Sequence, residues 1–158
     1  MRWLGIALML AAGTTAAETI SGAVAVVIDG DTLTVVDDAK KQHRVRLAGI
    51  DAPQAKQPFG LQSAHSLARL CFKKAAKVEW KAKERGLLVG EVTCDGVAAN
   101  GEQVRRGMAW VSPRQTGPGS PLFELEAYAR LRKVGLWADE KPIPPWEWRS
   151  TGHRSKAK

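Results

Sequence analysis

Five short runs rich in apolar and β-branched residues, Ala23–Ile28, Leu33–Asp37, His43–Gly49, Ala76–Lys81 and Leu87–Cys94, constrain this chain more than anything else in it. Runs of this length, bounded by turn residues, read as strands, and five of them suit a closed barrel that leaves no long edge unpaired. The first run ends in Asp29-Gly30-Asp31-Thr32 before apolar residues resume at Leu33, the pattern of a hairpin. From Arg44 to Ile50, Arg44, Arg46 and Ala48 alternate with Val45, Leu47 and Gly49, and the segment stops at Asp51-Ala52-Pro53, a strand running into a turn. Helices interrupt and follow the strands. Leu61, Ala64, Leu67, Ala68 and Cys71 recur at helical steps between Gly60 and Lys74, with Arg69 and the lysines outside. A shorter turn over Glu102–Arg106 leads to Gly107, with Val104 and Met108 inward. The last helix has Ser120 to cap it, Pro121 for its first position and Gly135 to end it, with Leu122, Leu125 and Ala129 toward the barrel. The expectation is a mainly β domain carrying two to three α-helices.

The two acidic turns carry the chemistry. If the two strand ends meet, Asp31 and Asp51 with the Ala52 carbonyl form a partial, water-filled oxygen site of the kind hard cations such as calcium accept. Equally, Asp29 and Asp31 are turn formers that bond their own backbone, and Asp51 caps the segment after it. Spacing alone leaves both open.

Asp29-Gly30-Asp31-Thr32, Arg46-Leu47-Ala48-Gly49-Ile50-Asp51-Ala52-Pro53 and Gly107-Met108-Ala109-Trp110 stand in an order and spacing that resembles the staphylococcal-nuclease-like, or thermonuclease, family, over about Ile20 to Arg149. The resemblance implies a five-stranded OB-fold barrel with flanking helices that holds calcium and hydrolyses DNA and RNA phosphodiesters. Carried over by position, Asp31 and Asp51 are the metal carboxylates, Asp29 a nearby acid and Arg46 the phosphate-clamping arginine. Three positions depart from the pattern. Gln54 stands where the family has the glutamate that orients or deprotonates the attacking water, and Gln takes no proton near neutral pH. Leu87 stands where a second arginine would stabilise charge on the phosphoryl oxygens. Ser112 replaces a tyrosine.

A positioned general base contributes about 10²–10⁴-fold and a preorganised donor about 10²–10³-fold, so hydrolysis is expected to be strongly weakened. Arg85, two residues before Leu87, would share its face on a strand and is a candidate to stand in for the lost guanidinium. A catalytically inactive module, holding nucleic acid or serving as an envelope protein-interaction domain, is the alternative.

Met1–Ala17 has one charge, Arg2, an apolar stretch over Trp3–Ala12 and small residues before Glu18, so it reads as a secretory signal. It is too short for a membrane span. An exported, periplasmic or secreted location is expected, with one domain over 18–149 and a basic flexible tail over 150–158. A net charge of +8 favours polyanions such as single-stranded DNA or RNA, although anionic lipid or mere solubility would also account for it. A monomer is expected. Oxidising conditions permit a Cys71–Cys94 disulfide, the alternative being two buried thiols. His43, His65 and His153 lack the paired spacing of a zinc site. Trp80, Trp110 and Trp137 read as core, Pro142–Trp148 as an extended polyproline strap across the barrel, and Arg149–Lys158 as a solvated polar end. Lys73, Lys74 and Lys77, or Arg105 and Arg106, are the basic clusters that could touch phosphates.

Overall fold

A computed structural model describes residues 17–151; the leader-like segment before Ala17 and the tail beyond Thr151 lie outside the described residues. The strands are β1 (Glu18–Val27), β2 (Thr32–Asp37), β3 (Gln42–Leu47), β4 (Ile50–Asp51), β5 (Ala75–Glu84), β6 (Leu87–Cys94), β7 (Val97–Ala98) and β8 (Trp110–Val111). The helices are α1 (Gly60–Cys71), α2 (Ala99–Arg105), α3 (Leu122–Leu131) and α4 (Pro145–Ser150), with a 3-10 helix at Gly135–Ala138. Strands β3, β2, β1, β5 and β6 pair antiparallel in that order. Parallel pairing of β3 with β6, Val45 opposite Leu88 and Arg46 opposite Val89, closes the five-stranded barrel. The OB-type barrel is therefore the one the apolar runs predict.

The side chains that fill it are Val24, Leu33, Val35, Val45, Leu47, Val78 and Val92, all at most 1 % exposed, and Leu67, Leu70 and Cys71 of α1 seal one end. Cys71 is bonded to Cys94, which ties α1 to the last long barrel strand. Trp110, Ala129, Leu136 and Trp137 form a second cluster outside the barrel, with the two indoles edge to face at 5.5 Å between centroids. Trp80 is half-buried against the barrel core.

Several boundaries differ from expectation. Leu61 is 62 % exposed, and α1 instead buries Ser63, Ser66, Leu67, Leu70 and Cys71. At Ser63 the inward face carries a small side chain because α1 lies close to the Gly30 turn there: a Cβ on Gly30 would sit 1.8 Å from Ser63 Oγ. Helix α3 stops at Leu131, where Lys133 takes a left-handed φ of 50°; Gly135 opens the 3-10 helix rather than ending α3. The proline-rich strap is extended only as far as Pro144. Its remainder is the fourth helix, α4, because Pro145 at the first position needs no amide partner and Glu147 N and Trp148 N both donate to Pro144 O.

The disulfide closes a loop of 23 residues in sequence separation, so its absence should cost about 3 kcal/mol on the chain-entropy estimate. Urea unfolding of Cys71→Ala/Cys94→Ala against the oxidised parent should show a lower midpoint, and adding reductant should lower the midpoint of the parent but not of the variant.

Candidate active site

The acidic turn between β1 and β2 is built by its own side chains. Asp29 Oδ1 accepts from Asp31 N at 3.0 Å, the role of a turn former, and Thr32 Oγ1 donates to Asp31 Oδ1 at 2.8 Å. The other Asp31 oxygen reaches across the fold: Oδ2 accepts from Ala52 N at 2.8 Å. The main chain of Asp31 accepts from Leu47 N at 2.8 Å, so the turn is fixed at two points, to the end of β3 and to the residue after β4. Buried amides from α2 hold the same region. Gln103 Nε2 donates to Gly30 O at 2.7 Å and Ser63 O at 3.1 Å, and Asn100 Nδ2 donates to Ala48 O at 2.9 Å and to Gly90 O at 3.2 Å. Neither amide stands out by sequence, because a lone Asn or Gln on a short helix carries no spacing signal.

The structure thus brings Asp31, Asp51 and Arg46 into one region. Ala52, expected through its carbonyl, meets Asp31 through its N–H. Arg46 lies opposite Thr32 in the β2–β3 register, and its Nη2 is 3.7 Å from Asp51 Oδ1. The closer partner of Asp51 comes from α4. Arg149 Nη2 donates to Asp51 Oδ2 at 2.6 Å and Nη1 to Oδ1 at 3.2 Å, a two-point guanidinium–carboxylate pair. A residue expected in a solvated tail therefore sits in the site. Only the long-range return of α4 places it there, and nothing in the local sequence signals that return. Arg46, Asp51, Ser112, Arg114, Trp146 and Arg149 line a cavity of about 420 Å³. A larger hollow of about 650 Å³, bounded by Ser21–Ala23, Asp37, Lys77 and Thr93, shares no residue with it.

Other expected residues fall elsewhere. Gln54 is half-buried in the loop after Asp51, where its N donates to Gln57 Oε1 at 3.1 Å. Leu87 is half-buried on β6, two residues before Val89, the register partner of Arg46. Arg85 is not on a strand. It occupies the exposed β5–β6 turn with φ 49°, followed by Gly86 at 84°, the backbone of a two-residue hairpin turn, so it does not share the face of Leu87. The basic clusters are engaged locally: Arg105 and Arg106 both pair with Glu102 at 2.7 Å, Lys77 pairs with Glu79, and Lys73 lies over the Phe72 ring. The two arginines pull the Glu102 carboxyl down to about 2.

Asp31 behaves in the opposite way. Burial, with the nearby Asp29 charge adding to it, pushes its carboxyl up to about 7, against the lowering effect of the Ala52 amide and Arg46. Arg149 is held more firmly protonated than a free arginine, chiefly by its hydrogen bonds to Asp51. The donor set suits a hard divalent cation: Asp31 is a buried carboxylate with no guanidinium bonded to it, and positive charge beside it would offset the cost of its ionisation. Among the described residues no three His, Cys, Asp or Glu side chains cluster as a metal-holding group, so water would have to complete any coordination.

A closed five-stranded barrel with two aspartates and several arginines gathered beside its acidic turn defines a nuclease domain of the staphylococcal type. The chain belongs to the staphylococcal nuclease homologue family, whose model matches residues 44–139. It is 41 % identical over 133 residues to an "uncharacterized endonuclease" of Escherichia coli, covering 82 % of this chain and 85 % of that one. It is 32 % identical over 160 residues to "micrococcal nuclease" of Shigella flexneri, covering 94 % of this chain and 91 % of that one. A "staphylococcal-like nuclease" of Arabidopsis thaliana is 36 % identical over 110 residues, covering 69 % of this chain and 34 % of that one.

The Asp31 shift has a definite sign. Between its unfolded value of 3.8 and about 7, the folded state binds more protons at this site than the unfolded state, so stability falls as pH rises through that window. Asn at 31 can keep both bonds, accepting from Ala52 and donating to the Thr32 hydroxyl. In chelator, Asp31→Asn should therefore melt several degrees above the parent at pH 8 and converge with it near pH 4, as read by thermal denaturation.

Proposed function

We propose that this chain is an exported, metal-dependent phosphodiesterase acting on single-stranded nucleic acid, slowed by the residues at 54 and 87. The observation that carries the reading is that the Asp31 carboxylate, from the β1–β2 turn, is bonded to the amide next to Asp51 of β4, with Arg46 beside Asp51. A bound divalent cation, calcium being the one the oxygen donors suit, would supply Lewis-acid stabilisation of a phosphoryl oxygen and a more acidic water. Asp31 and Asp51 would hold it. Arg46, on a barrel strand rather than a loop, would fix a phosphate by charge and paired N–H donors. Gln54 can orient water through its amide but cannot take its proton, and Leu87 offers no donor, so both deficits fall on the chemical step rather than on binding.

Single strands suit the surface. The cationic cavity shares Pro113 and Trp146 with a trough of about 440 Å³ that the exposed Phe123 borders, so a phosphate in the first would leave a neighbouring base beside Trp146 and Phe123. The Cys71–Cys94 bond supports an oxidising compartment, in line with the leader-like N-terminus. Among the described residues no helix is long and apolar enough to cross a membrane.

A second reading, nucleic-acid binding without cleavage, is favoured by one observation: both Asp51 oxygens are already bonded to Arg149. Cleavage of labelled single-stranded DNA in calcium and in chelator separates the two. Slow, chelator-sensitive cleavage that Asp31→Asn abolishes supports the nuclease; salt-sensitive binding with no cleavage supports the binder. Gln54→Glu with Leu87→Arg should raise the cleavage rate by about 10²-fold or more. A rate unchanged by the pair would show that the lost groups are not what limits this site.

A further inference from the structure

Arg149 makes the site's most direct ionic contact, yet its partner is the carboxylate that a cation would need. Asp51 is almost fully enclosed, its side chain 6 % exposed, whereas the Arg149 side chain is 45 % exposed and faces the cavity shared with Arg46 and Arg114. A fork of N–H donors that fits a carboxylate fits a phosphodiester equally well, two parallel bonds to two oxygens. Once Asp51 is neutralised by a cation, the pair loses its electrostatic reason, and the nearest anion of matching shape is a phosphate held by Arg46. Only the long Arg149 side chain has to turn. The root of α4 is fixed, with Pro145 buried, Trp146 packed on the Trp110–Trp137 cluster, and Gln57 Nε2 donating to Ile143 O, which ties the segment before α4 to the loop following Asp51.

We infer that Arg149 is the second phosphate-binding guanidinium of this chain, held on Asp51 in the free protein and transferred to the substrate phosphate. It supplies from α4 the donor that Leu87 cannot supply from β6. The inference rests on the proposed phosphodiesterase reading for its rate effects but not for its binding effects.

The test uses the full chain and a fluorescent oligothymidylate. In calcium, with phosphorothioate linkages in the oligothymidylate to resist cleavage, affinity is measured against sodium chloride for the parent, Arg149→Gln, Arg149→Lys and, as a control, Arg132→Gln at the exposed end of α3. Loss of one phosphate contact should lower the slope of log affinity on log salt by about one for Arg149→Gln and leave it unchanged for Arg149→Lys and Arg132→Gln. In calcium, Arg149→Gln should lower kcat by about 10²-fold. Arg149→Lys, which keeps the charge but not the fork, should fall between, and Leu87→Arg added to Arg149→Gln should recover at least about tenfold.

An unchanged salt slope overturns the inference. So does a loss of rate that tracks a lower melting temperature and is not recovered by Leu87→Arg, since that marks a structural role, and so does faster cleavage by Arg149→Gln, which marks Arg149 as a block on Asp51 alone. If the parent shows no metal-dependent cleavage, the phosphodiesterase reading fails, while the salt slope still decides the role of Arg149.

Discussion

The hydrogen bond from Ala52 N to Asp31 Oδ2 joins the two halves of the site, and much else is arranged so that it can exist. It requires that the β1–β2 turn reach the strand end at Asp51, which β2–β3 pairing and the Leu47–Asp31 main-chain bond enforce. It also requires that α1 pass close over Gly30, where the missing side chain lets Ser63 approach and Gln103 bond the Gly30 carbonyl. The cost is a carboxylate taken out of water beside a second one at Asp29. That cost is visible as the raised Asp31 carboxyl, and a positive charge placed beside it would offset it.

The two aspartates divide this electrostatic problem unequally. Asp31 is bonded only by neutral donors, an amide and a hydroxyl, which do not offset its burial and the Asp29 charge, and so it stays reluctant to ionise. Asp51 is stabilised by two guanidiniums and is already compensated. A cation entering between them would gain most from Asp31 and would have to displace Arg149 from Asp51. On the proposed reading, metal occupancy and the position of one arginine would therefore be coupled through a single carboxylate.

Legibility from sequence depends on the range of the interactions involved. The strands are readable because period-two alternation and turn residues are local, and the Asp-Gly-Asp turn is readable because Asp29 bonds its own neighbours. Periodicity misjudges the inward face of α1 because it counts apolar residues, whereas α1 buries Ser63 and Ser66, and close packing on Gly30 favours a small residue at 63. It misplaces Arg85 because a positive-φ turn looks, in sequence, like the strand it joins. Arg149 and α4 escape it for the deepest reason: a contact across 98 residues has no local pattern, and a basic C-terminal stretch looks the same whether it is solvated or folded back onto an acid.

On the proposed reading, the change at 54 would be confined to one functional group. The main chain there is fully used: Gln54 O accepts from Gln57 N at 2.8 Å, and Gln57 Oε1 accepts from Gln54 N. Gly60 approaches so closely that a Cβ on it would lie 2.2 Å from Gln54 O. These constraints fix the backbone of the loop whatever side chain it carries, and Glu and Gln have nearly the same shape. On the proposed reading, the loop would keep its geometry with Glu at 54, and the amide there would remove only the proton acceptor. The same holds at 87, where the register of β6 with β3 is set by main-chain pairing and not by the side chain. The barrel specifies where the reacting groups belong, and individual side chains decide whether anything reacts.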